Sequence, residues 1–506
     1  MNLVNIRENS LEIELKLALL TSDPSGLTKI LSRLPLLARR KSTHQKLHNI
    51  YYDTPQQFLR QRRVALRIRR VGSDAEPRWL QTLKTGGRGH SALSQRGEWE
   101  VSVPNATLAL NALQTTPWSK IDPDAAVFPS LIPVFTTTFE RTSWVVRRRD
   151  GSVIEVALDL GQITVGGKSV PICELELELL AGQPTALFDI AQQIASTIAV
   201  LPLTKSKSER GYNLAEHCVN APLHAQPPKR TKGLSMSAVA ATILREMFGQ
   251  FTTNLNAFRS SDDPELVHQA RIGWRRLKSA LRLFKPVLPP DTVPPLQPLQ
   301  LLLSLLGELR DLDVACTHTL PELAQAYSAG VTQRVDAWQA MTHTLNQAAD
   351  LQRKSVRYAL LEPAVGTTLL AITQWLEGLA ALPESSGVRA ESKVSLRRWS
   401  RLRMARMLRK LKLARKDSNS PDSQHRVRIL AKRVRYGIEA LSDSLPEQRA
   451  KHWYRHAKSL QQCLGTERDV MQAGALAAKF EVDRGLVEFL QGVGVGRRLT
   501  TESSVS

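Results

Sequence analysis

Several short stretches place charged residues two positions apart. EIELK sets Glu12, Glu14 and Lys16 in one phase, and ALRIR does so for Arg67 and Arg69. TLK offers Lys84, GEWE offers Glu98 and Glu100, and CELELEL lines up Glu174, Glu176 and Glu178. The intervening residues are largely apolar, so a period of two puts all these charges on one face of a strand. Carboxylate oxygens are hard ligands suited to Mg²⁺ or Mn²⁺. Arginine forks grip phosphate oxygens in pairs, and lysine adds a point charge. Together they suit a chain of phosphates bridged by metal. Taken singly, each strand also fits a sheet with one wet face. The set fits that less well, because three successive glutamates on one face repel one another unless cations intervene. A sheet curled into a barrel with a polar lumen brings those cations in.

The elements that must hold these residues follow from the same alternation. Segments 12–19, 64–70, 79–84, 97–103, 143–148, 153–159 and 172–180 read as strands, and 24–38 and 184–199 as helices opening on Pro24 and Pro184. Up to about residue 217 the chain is an α+β domain dominated by antiparallel strands. Residues 218–234, CVNAPLHAQPPKRTKGL, lose all periodicity and read as a linker. Beyond it the period is helical to about residue 480, with a short tail at 481–506.

Charge separates the two halves. Residues 1–217 carry 27 Lys and Arg against 21 Asp and Glu, and the remainder carries 42 against 26. The first half mixes signs as a metal-and-anion site would, and the second suits anion binding without catalysis. Aromatics are 5% of the chain, so no specific nucleic-acid partner is expected. The four cysteines (173, 218, 316 and 463) form no CxxC pair. With no membrane-length apolar run and no leader pattern, a cytoplasmic protein without a membrane partner is expected. No GxxxxGK[ST] loop occurs.

The helical half repeats. HQARIGWRRLKSALRLF at 268–284 aligns with HRVRILAKRVRYGIEAL at 425–441, and LGELRD at 306–311 with LGTERD at 464–469. His268, Arg271, Arg275, Lys278 and Arg282 form one helical stripe. His425, Arg428, Lys432 and Arg435 repeat it, with Arg433 beside them and Glu439 in place of the last arginine. Like charges so crowded on a face favour an anionic partner. Two related bundles, about 235–380 and 390–480, are expected. Arg397, Arg398, Arg401, Arg403, Arg406, Arg409, Lys410 and Lys412 extend the basic character. Asp311 and Asp313 read as structural partners of basic residues, and Met471 stands where a second copy of Asp313 would.

In order, ExExK, YYDTP at 51–55, ALRIRR, QTLK, RGEWE and the ELEL strand resemble the CYTH domain over about residues 10–217. Its members, also called triphosphate tunnel metalloenzymes, include class IV adenylate cyclases and thiamine triphosphatases. The resemblance implies an eight-stranded antiparallel tunnel acting on triphosphates with divalent metal. Glu12, Glu14, Glu174 and Glu176 then match metal ligands or the groups around them, and Asp159 matches a family acid. Glu98 and Glu100 lie on the corresponding acidic strand, and either can face a metal. Arg67, Arg69, Lys84 and Arg141 match phosphate clamps. Lys207 matches the late basic residue, with Lys205 its neighbour. Lys16 would position the attacking water or hold the terminal phosphate.

The repeated stripes and LGELRDLDV resemble the CHAD domain, over about 235–480. That resemblance implies two four-helix bundles that bind inorganic polyphosphate, and association with polyphosphate granules. The combined expectation is an inorganic triphosphatase using Mg²⁺ or Mn²⁺, with a polyphosphate-binding module attached. An adenylate cyclase, a thiamine triphosphatase or a non-catalytic polyphosphate binder are the alternatives.

Overall fold

The computed structural model describes residues 11–21, 23–72, 76–86, 91–226, 235–329, 331–381, 396–416 and 420–505. They divide into two compact units: one runs to Ala221 and includes Leu361–Glu377, and the other comprises Pro222–Leu360 and Gly378 onward.

The first unit contains strands β1 (Leu11–Leu19), β2 (Ser42–Asp53), β3 (Val64–Val71), β4 (Arg78–Thr85), β5 (Leu93–Val103), β6 (Ile132–Arg147), β7 (Val153–Val165), β8 (Lys168–Ala181) and β9 (Val200–Pro202). All pairings are antiparallel, in the order β5-β4-β3-β2-β6-β7-β8-β1. A β1–β5 ladder, running from Leu11 opposite Gly97 to Leu15 opposite Leu93, closes eight strands into a barrel. The short β9 adds to β1 beyond the closure. Closure leaves those eight strands without the unpaired edge an open sheet presents.

Alternation decides which face is which. Leu15, Leu17, Val156, Leu158, Leu175 and Leu177 point outward and are buried. They meet Leu27 and Leu31 of helix α1 (Leu27–Arg33) in one core cluster. Short helices α2 (Phe58–Gln61) and α3 (Trp118–Ile121) follow in sequence, and α4 (Thr185–Ala195) adds Leu187, Ile190, Ala191 and Ile194 to the same core. Each fully buried leucine stabilises by about 1.5–3 kcal/mol, so the outward face fixes the register that aims the charges inward. Helix α5 (Lys207–Ala215) lies against β6, β7 and β8.

The structure departs from the expected elements in several places: β6 begins at Ile132 rather than 143, the expected tail holds a helix over Arg484–Val505, and three further differences have a local cause. Strand β2 was not expected, because its buried positions include Asn49 and Asp53 and show no apolar alternation. The helix expected over 24–38 ends at Arg33, since Leu34 precedes Pro35 and is extended at φ −62° and ψ 134°. Segment 361–377 belongs to the barrel unit: Leu370 is fully buried in its core, and Gln192 Nε2 donates to the Thr367 carbonyl at 2.9 Å.

The second unit is helical. Its elements are α6 (Met236–Phe258), α7 (Pro264–Phe284), α8 (Gln300–Val314), a π turn at Ala315–Thr319, α9 (Leu320–Ser328) and α10 (Thr332–Ala359). Helix α11 (Pro363–Ala381) belongs to the first unit up to Glu377, and the second continues with α12 (Leu396–Lys416), α13 (Pro421–Leu441), α14 (Glu447–Lys479) and α15 (Arg484–Val505). Helices α7 and α13 are both 21 residues long with proline first, capped by Asp263 and Ser420. Among the described residues, no helix is long and apolar enough to cross a membrane.

Candidate active site

The barrel lumen encloses a cavity of about 670 Å³. Its lining includes Glu12, Glu14, Lys16, Arg67, Arg69, Lys84, Glu98, Glu100, Arg141, Glu176 and Lys207, brought from six strands and α5. Asp159 and Glu174 are fully buried just behind it, bonded to Lys207. The barrel residues singled out in the sequence, Lys205 excepted, therefore gather at one place. Register explains how: Glu12 faces Arg96, Lys16 faces Glu176, Lys84 faces Glu98, and Arg141 faces Asp159. Opposite charges directly across a ladder support one another.

Two acidic groups result. On β1 and β5, Lys84 Nζ lies 2.9 and 3.0 Å from the two Glu12 oxygens and 2.9 Å from Glu98. Arg96 Nε donates to Glu12 at 2.7 Å, and its Nη2 also bonds Glu14, which Lys16 meets as well. Burial pushes the Glu12 pKa up, but Lys84, Arg96 and Lys16 outweigh it and hold Glu12 well below the usual carboxylate range.

The other group is Asp159, Glu174 and Glu176, on β7 and β8. One oxygen from each lies within 4.8 Å of the others, a separation that can hold a metal ion. Lys207 Nζ sits among them, 2.6 Å from Asp159, 2.5 Å from Glu174 and 2.9 Å from Glu176. Arg141 bonds Asp159 and Glu176, and Arg210 bonds Glu174. Burial opposes ionisation of Glu176, yet Lys207, Arg141 and Lys16 hold its pKa well below the usual value. Three convergent carboxylates are the donor set a hard divalent ion uses, so these residues fit one.

Between the groups, Arg67 and Arg69 rise from β3. Arg69 Nε donates to Asn49 at 2.8 Å, and Glu100 lies 3.8 Å from Arg69 and 4.0 Å from Arg67. Burial, and then Arg67, lower the Arg69 pKa to about 10. Arg67 also lies 3.6 Å from Glu98, and two neighbouring guanidinium groups on one wall suit phosphate oxygens.

Arg96, Arg210 and Asn49 were not singled out in the sequence. Arg96 lies in the same phase as Glu98 and Glu100, so starting that strand one residue earlier would have exposed it. Arg210 follows Lys207 by one helical turn. Lys205 faces Glu209 and Cys218 rather than the acidic groups.

In the helical unit the two basic stripes meet in part. Arg271 and Arg275 on α7 share one electrostatic cluster with Arg428 and Lys432 on α13, joined by Arg310, Asp311, Arg468 and Asp469. Burial, then Arg428 and Arg275, lower the Lys432 pKa to about 7. His268 is half-buried and is pushed to about 4 by burial and Arg310, whereas His425 is exposed. Lys278 and Arg282 are exposed, Arg433 lies near Arg282, and Arg435 pairs with Glu439 at 3.6 Å. Asp313 accepts from Arg353 at 3.0 Å, the structural role expected of it.

Comparison with known proteins agrees with this division. A CYTH domain model matches residues 10–212, and a CHAD domain model matches residues 242–478. An inorganic triphosphatase of Haemophilus influenzae is 34% identical over 207 residues, which is 40% of this chain and 54% of that protein. The CHAD domain structure from the plant Ricinus communis is 25% identical, covering 55% of this chain and 92% of that one, with a TM-score of 0.46. A putative adenylyl cyclase from Hippeastrum, described as having a dominant triphosphatase activity, is 18% identical, covering 40% of this chain and 95% of that one, with a TM-score of 0.30. The chain is therefore made of an N-terminal CYTH domain, residues 10–212, and a C-terminal CHAD domain, residues 242–478.

Proposed function

We propose that the barrel hydrolyses the terminal phosphoanhydride of inorganic triphosphate, giving pyrophosphate and phosphate, and that the helical unit binds polyphosphate. The observation that carries this reading is the convergence of Asp159, Glu174 and Glu176 on one cation position in the lumen that also holds Arg67, Arg69 and Arg141. Support for the substrate comes from the Haemophilus relative, an inorganic triphosphatase, whose length is matched by about half.

Asp159, Glu174 and Glu176 would hold Mg²⁺ or Mn²⁺, and Glu12, Glu14, Glu98 and Glu100 offer further hard oxygens across the lumen. When bound, such an ion polarises phosphoryl oxygens and neutralises charge that builds up in the transition state. Arg67, Arg69, Lys84 and Arg141 grip the phosphate chain from several strands and hold it in line. Lys16, paired with Glu14, orients the attacking water or the terminal phosphate. Water adds to the terminal phosphorus, the bond to the bridging oxygen breaks, and pyrophosphate leaves. The proton passes to solvent or to a lumen carboxylate.

In the helical unit, Arg271, Arg275, Arg428 and Lys432 form the polyphosphate contact, with His268 beside them. Lys278, Arg282, His425, Arg433 and Arg435 flank it. The test is a substrate panel of triphosphate, longer polyphosphate, ATP and thiamine triphosphate, each with Mg²⁺ or Mn²⁺. Fastest phosphate release from triphosphate supports the reading. Faster turnover of ATP or thiamine triphosphate, or none of any, removes it.

A further inference from the structure

Lys207 occupies the point on which the three carboxylates converge. Its ammonium bonds one oxygen each from Asp159, Glu174 and Glu176, at 2.5 to 2.9 Å. Arg141 takes Asp159 Oδ1 and Glu176 Oε2 and shares Asp159 Oδ2, Arg210 takes Glu174 Oε2, and Lys207 bonds one oxygen of each of the three carboxylates. A divalent ion would need these same oxygens at about 2.0–2.1 Å for Mg²⁺, and an ammonium cannot share that position.

Local structure fixes the lysine where it stands. It is the first residue of α5, and a capping box anchors that helix: Glu209 N donates to Ser206 Oγ, and Ser206 N donates to Glu209 Oε2 at 2.7 Å. Gly211, a turn further on, lets the helix close on the barrel, because a Cβ there would lie 2.3 Å from the Phe135 ring. The backbone is held, but the four-carbon stem is not. Lys207 also lines the cavity that Arg67, Arg69 and Arg141 share.

We propose that Lys207 is a tethered cation that competes with the divalent metal for Asp159, Glu174 and Glu176, and that it moves from these carboxylates to the phosphate chain as the metal enters. This rests on the reading of the lumen as a metal-dependent phosphate site. With Arg141 and Arg210, it explains how these carboxylates, two of them fully buried, remain compensated without metal, which would otherwise be costly. It also makes metal and triphosphate binding mutually reinforcing, since each frees the partner that the other needs.

The test is calorimetric titration of the full chain with MnCl₂ alone, comparing the wild type with Lys207→Met and Lys207→Gln. Removing the competing charge should tighten Mn²⁺ binding by about tenfold or more. Pyrophosphate binding with saturating Mn²⁺ should weaken by a similar factor. A residue with only a structural role would not move the two affinities in opposite directions. Should the variants be too unstable to titrate, Mn²⁺ is expected to raise their melting temperature by more than that of the wild type. Unchanged or weaker Mn²⁺ binding, or an equal or smaller melting shift, overturns the competition while leaving the hydrolase reading intact. Absence of Mn²⁺ binding in every form overturns both.

Discussion

Arg141 stands directly across the β6–β7 ladder from Asp159 and grips it with two nitrogens, Nε to Oδ1 at 2.7 Å and Nη2 to Oδ2 at 2.6 Å. Burial opposes the charge on Arg141, but Asp159 and then Glu176 more than restore it. Removing either partner takes one opposite charge out of a buried network, leaving Asp159 to Lys207 and Arg141 to Glu176. Asp159→Asn and Arg141→Gln should each cost about 3–5 kcal/mol of stability in denaturant titration. A loss below about 1 kcal/mol would show the pair to be solvated rather than structural.

Arg96 holds Glu12 and Glu14 together from the neighbouring strand. Arg96→Met should lower triphosphate turnover about 10–100-fold, with Arg96→Lys keeping part of it, because lysine retains charge but not the two-pronged reach. Steady-state kinetics on the three proteins checks this. Equal rates in wild type and Arg96→Met would remove Arg96 as a positioning residue.

Lys432 gives the helical unit a pH dependence. With its pKa lowered to about 7, Lys432 is charged below that pH and neutral above it, and only the charged form attracts polyphosphate. Affinity should therefore fall as pH rises from about 6 to 8. His268, held near 4, stays neutral throughout. The unfolded chain keeps the lysine proton to about pH 10.4, so stability of this unit should rise with pH above 7. Binding isotherms across this range are expected to slope for wild type and to flatten for Lys432→Arg.

The converged stripes also set a salt dependence. Each cation that neutralises a phosphate releases a counterion, so affinity should fall steeply with salt. Neutralising Arg271, Arg275, Arg428 and Lys432 together should weaken binding and shallow that slope. Neutralising the exposed Lys278 and Arg282 should do less. The opposite ranking would place the contact along the outer ends of the stripes.

Much of the barrel was legible because its lumen is charged and its exterior apolar, so EIELK, ALRIR, EWE and ELELEL announce both faces at once. Strand β2 was not legible, since Asn49 and Asp53 are buried through hydrogen bonds, and polar burial leaves no apolar period. Arg96 escaped notice because Gly97 looks like a strand boundary. In the structure that glycine makes room for the Trp99 ring, which would lie 2.3 Å from a Cβ. In the helical half the repeat was visible as α7 and α13. That Arg271, Arg275, Arg428 and Lys432 share a cluster while Lys278 and Arg282 stand apart depends on how the helices pack, which spacing along one helix does not encode.

The central claim is that the lumen performs metal-dependent hydrolysis, and phosphate release from inorganic triphosphate by the full chain tests it most directly. Release is expected with Mg²⁺ or Mn²⁺, should stop in EDTA, and should fall at least about 100-fold in Glu14→Ala. Undiminished release in EDTA, or none with either metal, would contradict it.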